Sequence, residues 1–175
     1  MLAEQLIHMQ STDWKQIQAL YARAFPEDER SPLELLAQDE TGISEILAFY
    51  EGQKFCGFAC LLVAMKIAHI IYIAMEESQR GMGYGSQALE RIQKRYPDHR
   101  IVVDMEDVIP DAPNYQQREQ RQRFYLRNEY QLCPIQYQWR GEEYRILSQG
   151  GIVQENEFWH FWKYVACENE AFNQF

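Results

Sequence analysis

Cysteine is sparse in this 175-residue chain, with four residues and no C-x-x-C pair. None of Cys56, Cys60, Cys133 and Cys167 has a histidine at zinc-ligand spacing, so no metal site is expected, and reduced cysteines acting as small apolar residues are the plainer reading. No run approaches the roughly 18 consecutive apolar residues of a membrane span, and the first residues lack a basic segment followed by an apolar one. No membrane partner and a cytoplasmic location are therefore expected. Positive charge is also scarce: 17 Lys and Arg against 26 Asp and Glu leave a formal charge of −9, which argues against a nucleic-acid partner. The acidic surplus would suit a cationic acceptor, although solubility alone can account for it. Linkers, repeats and low-complexity segments are missing too, so residues 1–175 read as a single domain, and 46% hydrophobic content supports a substantial core. His8, His69, His99 and His160 stand at no triad spacing with Ser or Cys and read as structural or exposed.

One stretch differs from its surroundings. Gln79-Arg80-Gly81-Met82-Gly83-Tyr84-Gly85-Ser86 places three alternating glycines between two patterned segments. Before it, Ile67 to Met75 is almost continuously apolar and rich in β-branched residues, as a strand buried on both faces would be. After it, Leu89, Ile92 and Tyr96 recur at helical spacing until Pro97-Asp98. Strand, glycine turn and helix are thus in series. Glycine removes the Cβ that blocks close approach, and a helix start offers unpaired N–H groups at the positive end of its dipole, so backbone alone can hold a pyrophosphate here. Spacing excludes the two best-known phosphate loops: G-x-x-x-x-G-K-[ST] is absent, and the run is not G-x-G-x-x-G followed by an acidic ribose binder. The match is to [QR]-x-x-G-x-[GA], with Arg80, Gly83 and Gly85 in the fixed positions.

Two further segments accompany it. Asn114 to Asn128 carries Arg118, Arg121, Arg123 and Arg127 around Phe124-Tyr125, and Phe25 to Pro32 reads F-P-x-x-E-R-x-P. Taken in order over Phe25 to Tyr130, the three segments resemble the GNAT superfamily of acetyltransferases. The glycine turn resembles its pyrophosphate loop, the arginine-rich segment its second coenzyme-binding helix, and the proline segment a stretch found in one bacterial branch of small members. That branch usually ends its second motif with Asn-Gly. Here Asn128 is followed by Glu129, and Asn128 can itself take the left-handed cap.

The resemblance implies an α/β class with a mixed sheet: a central, mostly antiparallel sheet, two adjacent parallel strands splayed apart to admit the coenzyme, and flanking helices, all in one N-acetyltransferase domain. Residue patterns agree. Leu6 to Met9 reads as a first strand, and Ser11 or Thr12 can cap a helix built on Trp14, Ile17, Leu20, Tyr21 and Ala24. Pro26 stops that helix and Pro32 opens a short second one. Ile46 to Tyr50 and Lys54 to Met65 flank a Glu51-Gly52-Gln53 hairpin turn. Arg100 to Glu106 reads as the strand after the glycine-turn helix, with Val102, Asp104 and Glu106 on one face and Ile101, Val103 and Met105 on the other. Tyr130 to Arg140 and Glu143 to Leu147 form a terminal hairpin, and an aromatic helix starts near Gln154. Its Phe158, Trp159, Phe161, Trp162 and Tyr164 either pack on the sheet or serve as a lid or homodimer contact.

The activity implied is transfer of an acetyl group from acetyl-coenzyme A, as co-substrate, to a primary amine of a small molecule or a peptide. The other reading is a catalytically weak acyl-coenzyme A-binding regulator or sensor. Amine acetylation needs a neutral amine, a stabilised oxyanion and a proton for the departing thiolate. By resemblance, backbone at Ile73, Ala74 and Met75 meets the pantetheine arm and polarises the thioester carbonyl. The coenzyme site would comprise those residues, Arg80, Gly81, Met82, Gly83, Tyr84, Gly85 and Ser86 of the turn, and Asn114, Arg121 and Phe124 of the second helix. Glu106 is the first candidate base and Asp104 the second, since like-charged neighbours can raise a carboxylate pKa. A structural ion pair of Glu106 with Arg121 is the alternative. Tyr125 is the candidate general acid, or else a core tyrosine. Glu27, Asp28, Glu29 and Arg30 would line the acceptor pocket, or form a solvated loop. The remaining arginines read as a solvated face.

Overall fold

The apolar runs pair into one sheet. The structure is a computed structural model and describes residues 1–38 and 40–168. Its strands are β1 (Ala3–Leu6), β2 (Ser44–Glu51), β3 (Lys54–Ala64), β4 (Ile67–Met75), β5 (Arg100–Glu106), β6 (Gln131–Trp139) and β7 (Glu142–Gln149). They run in the order β1-β2-β3-β4-β5-β7-β6. The helices are α1 (Trp14–Ala24), α2 (Leu33–Ala37), α3 (Tyr84–Arg95), α4 (Tyr115–Arg127) and α5 (Glu155–Glu168). Among the described residues only β4 and β5 pair in parallel, because α3 crosses between them; the other neighbours are antiparallel.

The parallel ladder is short. It runs from Ile67 opposite Arg100 to Ile70 opposite Val103 and stops, while β4 continues to Met75 and β5 to Glu106. Beyond that point the two strands part. A bulge accompanies the split: pairing with β3 steps from Leu61 opposite Ile70 to Cys60 opposite Tyr72, so Ile71 has no residue opposite it. One extra residue reverses the alternation of everything after it. The mixed α/β sheet with a splayed parallel pair, expected from the resemblance, is therefore present.

Two cores sit on the two faces. Ile101, Val103 and Met105 pack with Ala88, Leu89, Ile92 and Tyr125 on the α3 and α4 side. Val102 packs on the other side with residues of α1, α2 and α5, among them Ile17, Leu36 and Phe161. The face assignment made from period two for β5 holds. Helix α5 contributes Phe158, Phe161 and Val165 to this core, each worth on the order of 1.5–3 kcal/mol relative to exposure. Its start is fastened as well, since Glu157 accepts the Gln154 N–H at 2.9 Å and pairs with Arg100 at 2.8 Å. No helix among the described residues is long and apolar enough to cross a membrane.

Three local expectations are corrected. The first strand ends at Leu6; Ile7 is buried and its N–H reaches the Ile46 carbonyl, but Leu6 to Met9 is not the strand. Asp13, not Ser11 or Thr12, is the N-cap of α1, and the Ser11 hydroxyl instead accepts the His8 N–H at 2.9 Å. At the end of α4 the left-handed residue is Glu129, with φ +66°, while Asn128 has φ −96°. The Glu129 N–H donates to Leu126 and the Tyr130 N–H to Tyr125, which is the Schellman pattern, and the Tyr125 and Tyr130 rings meet 5.4 Å apart across it.

A Cβ in that left-handed position is disfavoured. Glu129→Gly is therefore expected to stabilise the fold by about 1 kcal/mol, which for a chain of this size raises Tm by roughly 2–4 °C. A Tm that stays put or falls on thermal denaturation would mean that the cap stores no such strain.

Candidate active site

The glycine turn is built to be open. Gly81 and Gly83 have φ of +80° and +77°, and a Cβ added to either would meet no atom within 4 Å. Gly83 is the N-cap of α3 and no side chain caps the helix. No N–H from residue 81 to 86 has a hydrogen-bond partner among the described residues. A row of free donors at the positive end of a 12-residue helix is the physical requirement for an anion. Gly85 has a different reason to be glycine: its Cβ would stand 3.2 Å from the Phe124 ring, so it lets α3 lie close to α4. Arg80 is exposed and pairs with Glu77 at 3.4 Å.

From the turn, the edge of β4 left bare by the splay leads inward past Met75, Ala74 and Ile73. That edge is held from behind by β3, and the fit is tight. A Cβ on Gly57 would come within 2.3 Å of the Ala74 carbonyl oxygen and 2.6 Å of the Met75 methyl group. Gly57 thus lets β3 support the exposed strand edge at close range.

On the α1 and α5 side of the split lies a cavity of about 490 Å³. Its walls include Phe25, Tyr72, Tyr137, Trp139, Tyr144 and Trp159, and three carboxylates reach it: Glu29, Asp104 and Glu106. Two of the three are already engaged. Glu106 Oε2 accepts from Arg121 at 3.1 Å, and Oε1 takes the Asn114 amide at 3.3 Å and lies 3.2 Å from the Arg118 guanidinium. Asp104 Oδ2 accepts the Tyr137 hydroxyl at 2.5 Å, and Oδ1 is 3.4 Å from His69 Nε2. That second contact has ion-pair distance without hydrogen-bond alignment, and neither His69 nitrogen has a hydrogen-bond partner among the described residues. Burial pushes the Asp104 carboxyl up, but His69 and the Tyr137 hydroxyl outweigh it and hold the group below its ordinary value.

Glu29 differs. It ends the 3-10 turn Glu27–Glu29, and its main chain is pinned by Tyr72, whose hydroxyl donates to the Glu29 carbonyl at 3.0 Å and accepts the Ser31 N–H at 3.1 Å. The Glu29 carboxylate has no hydrogen bond or ion pair among the described residues. Burial, and then the negative charges of Glu106 and Asp28, raise its pKa against the opposing pull of Arg121 and Arg140.

Tyr125 lies on the opposite face, in the core that holds Met105 and borders Ile73, near enough to Arg121 and Asp104 to feel their charges. It is 6% exposed, and its hydroxyl makes no hydrogen bond among the described residues. Burial pushes its pKa up to about 12, Arg121 pulling the other way, so the phenol keeps its proton throughout the neutral range.

The structure thus brings Asp104, Glu106, Arg121 and Glu29 to one cavity and Tyr125 to the gap behind it. It does not bring Glu27, Asp28 and Arg30 there. Glu27 and Asp28 are exposed, and Glu27 and Arg30 border a separate, shallower concavity between α1 and α2. The Asn114 amide is spent on Glu106 and Arg118, and Phe124 abuts the glycine turn. Sequence reasoning missed Tyr137, Trp139, Tyr144 and the buried His69 as parts of this site. Period two held the signal, since Tyr137 and Trp139 share a strand face and His69 lies two residues from Ile67 on the face opposite Ala68 and Ile70.

A glycine turn of free donors, a bared strand edge and an acidic, aromatic cavity meeting at one split in the sheet are the parts of an acyltransferase. The chain belongs to the acetyltransferase (GNAT) family, whose model matches residues 14–127, more than half of its length. Solved structures agree on the fold. A GNAT-family protein from Bacteroides thetaiotaomicron superposes with a TM-score of 0.78 at 19% identity, over 94% of this chain and 96% of that one. The ribosomal-protein-S18-alanine N-acetyltransferase from Escherichia coli gives 0.60 at 16% identity, over 89% and 98%. A GNAT family acetyltransferase from Elizabethkingia anophelis, with acetyl-CoA bound, gives 0.56 at 14% identity, over 85% and 97%. No curated protein matches the sequence significantly.

Proposed function

We propose that this protein is a cytoplasmic N-acetyltransferase that moves the acetyl group of acetyl-coenzyme A to a primary amine of a small molecule or peptide. The observation that carries the reading is the split between β4 and β5, which joins the glycine turn to the carboxylate-bearing cavity with Tyr125 at the junction. The free N–H groups from residue 81 to 86 suit a pyrophosphate, and the bare edge at Ile73 to Met75 suits the amide-bearing arm. Bound there, the coenzyme supplies an activated acyl carbon. The chain's own groups do the rest: backbone donors along β4 stabilise charge on the acyl oxygen, a cavity carboxylate takes a proton from the amine, and the Tyr125 hydroxyl delivers one to the leaving sulfur.

Incubation of the purified protein with acetyl-coenzyme A and a panel of amines tests this. Release of free thiol together with an amide product is expected for at least one member. Tight coenzyme binding with no thiol release from any polyamine, aminoglycoside, amino acid, peptide or arylalkylamine would instead favour the binding-only reading.

A further inference from the structure

Of the three carboxylates that reach the cavity, two have their oxygens occupied by chain partners. Arg121, Arg118 and Asn114 surround Glu106, and Tyr137 and His69 surround Asp104. Hydrogen bonds and cations at a carboxylate stabilise its charged form and so weaken its hold on an incoming proton. The Glu29 carboxylate accepts no such bond among the described residues. Its backbone is fixed twice, by the Tyr72 hydroxyl at its own carbonyl and by its N–H, which donates to the Pro26 carbonyl at 3.1 Å, while its side chain is left uncommitted toward the cavity. A rigid main chain carrying a free carboxylate is how a fold presents a base.

The rest of the wall limits what can enter. Beyond Glu29 the lining is largely aromatic, with Phe25 and Tyr72 edge to face 5.0 Å apart and Tyr137 stacked on Tyr144 at 5.5 Å. Lys163, exposed on the wall, meets a second positive charge with repulsion, while Arg121 is already paired with Glu106. One uncommitted negative charge matches one ammonium, and flat rings match a flat apolar body.

We propose that Glu29 binds and deprotonates the acceptor ammonium, and that the acceptor is a monoamine carried on an aromatic or similarly flat apolar body. This rests on the N-acetyltransferase reading above and narrows it. The ammonium proton passes to a Glu29 oxygen, and the freed nitrogen lone pair forms the C–N bond to the acetyl carbon. The C–S bond breaks with its electron pair leaving on sulfur, which takes the Tyr125 proton. The second nitrogen proton restores the Tyr125 hydroxyl, and Glu29 releases its proton to water, so the products are the amide, the free thiol and one proton. The groups facing Glu29 are Asp28 on its own turn, Glu106 on β5, Arg121 on α4, Arg140 between β6 and β7, Tyr144 on β7, Tyr72 on β4 and Lys163 on α5. Burial first, and then Glu106 and Asp28, raise its pKa against Arg121 and Arg140, which moves the acidic limb of the rate profile upward.

The test uses the intact protein with acetyl-coenzyme A and three acceptors: 2-phenylethylamine, spermidine and kanamycin. The expected result is kcat/KM at least tenfold higher for 2-phenylethylamine, falling by on the order of 10²–10⁴-fold in Glu29→Gln with loss of the acidic limb. Coenzyme affinity should be unchanged in that variant, and Glu106→Gln should retain the limb. Preference for spermidine or kanamycin, or a Glu29→Gln enzyme whose limb persists with activity within threefold of the parent, overturns the inference while leaving the N-acetyltransferase reading standing. Coenzyme binding with acetyl transfer to none of the three overturns the inference, and only the same silence with amino acids and peptides as well overturns the N-acetyltransferase reading.

Discussion

Tyr125→Phe is expected to lower kcat by on the order of 10²–10⁴-fold, the range for a positioned proton donor, while leaving coenzyme affinity and the fold intact. The change removes a single oxygen. That oxygen makes no hydrogen bond among the described residues, so its loss breaks no internal contact. Stability should therefore hold as activity collapses. A structural tyrosine would behave the other way, losing stability with little change in turnover. The ring itself stays fixed in either form, since Phe124 and Tyr130 flank it with centroids 5.3 and 5.4 Å away and the α4 cap closes on its carbonyl. Equal kcat in parent and variant on any accepted amine would reduce this residue to packing.

How much of this was legible in the sequence depends on the range of the interaction that decides each feature. Ile67–Met75 and Arg100–Glu106 were read with their observed bounds because both are continuous apolar runs whose ends are set by adjacent residues. The glycine turn was legible for the same reason, as left-handed φ and close approach are demands on single positions. The bulge at Ile71 was not, because nothing in Ile70-Ile71-Tyr72 distinguishes the residue that β3 leaves unpaired. Nor could the split be located, since it is a failure of two strands 33 residues apart to keep pairing past Ile70 and Val103. The left-handed cap was assigned to Asn128 on propensity, yet the chain puts the strain on Glu129, one residue later. Propensity ranks residue types, whereas the helix length and the docking of Tyr130 chose the position. Of the candidate carboxylates, alternation placed Asp104 and Glu106 on the correct face but could not say which oxygens were already occupied. Those partners come from α4, β6 and β4.

Arg118 shows the same lesson with the largest expected effect on stability. Among the arginines of α4 it read as part of a solvated face, but it is 2% exposed. Its guanidinium donates to Asn114 at 2.6 Å, to the Asp107 carbonyl at 3.1 Å and to Glu142 at 2.7 Å, and stands 3.2 Å from Glu106. It therefore fastens α4 to the end of β5 and to the β6–β7 hairpin at once. Arg118→Met keeps a stem of similar bulk but removes the charge and every donor, leaving a half-buried amide oxygen, a backbone carbonyl and part of a carboxylate pair without their partner. Breaking a buried pair by removing one partner costs about 3–5 kcal/mol, and the lower end applies because Glu142 is half exposed and Glu106 retains Arg121. At about 3 kcal/mol, Tm should fall by roughly 6–12 °C. The control lies one turn further along α4. Arg123 is 70% exposed in its ion pair with Glu119, and Arg123→Met should change stability by less than about 0.5 kcal/mol, as exposed helix pairs do. Because Tyr125 stands two turns beyond Arg118 on the same helix, loosening its start should also lower kcat, with part of the loss recovered on cooling. A Tm for Arg118→Met within about 2 °C of the parent would show that solvent replaces the guanidinium without penalty and that α4 is held by its apolar contacts alone.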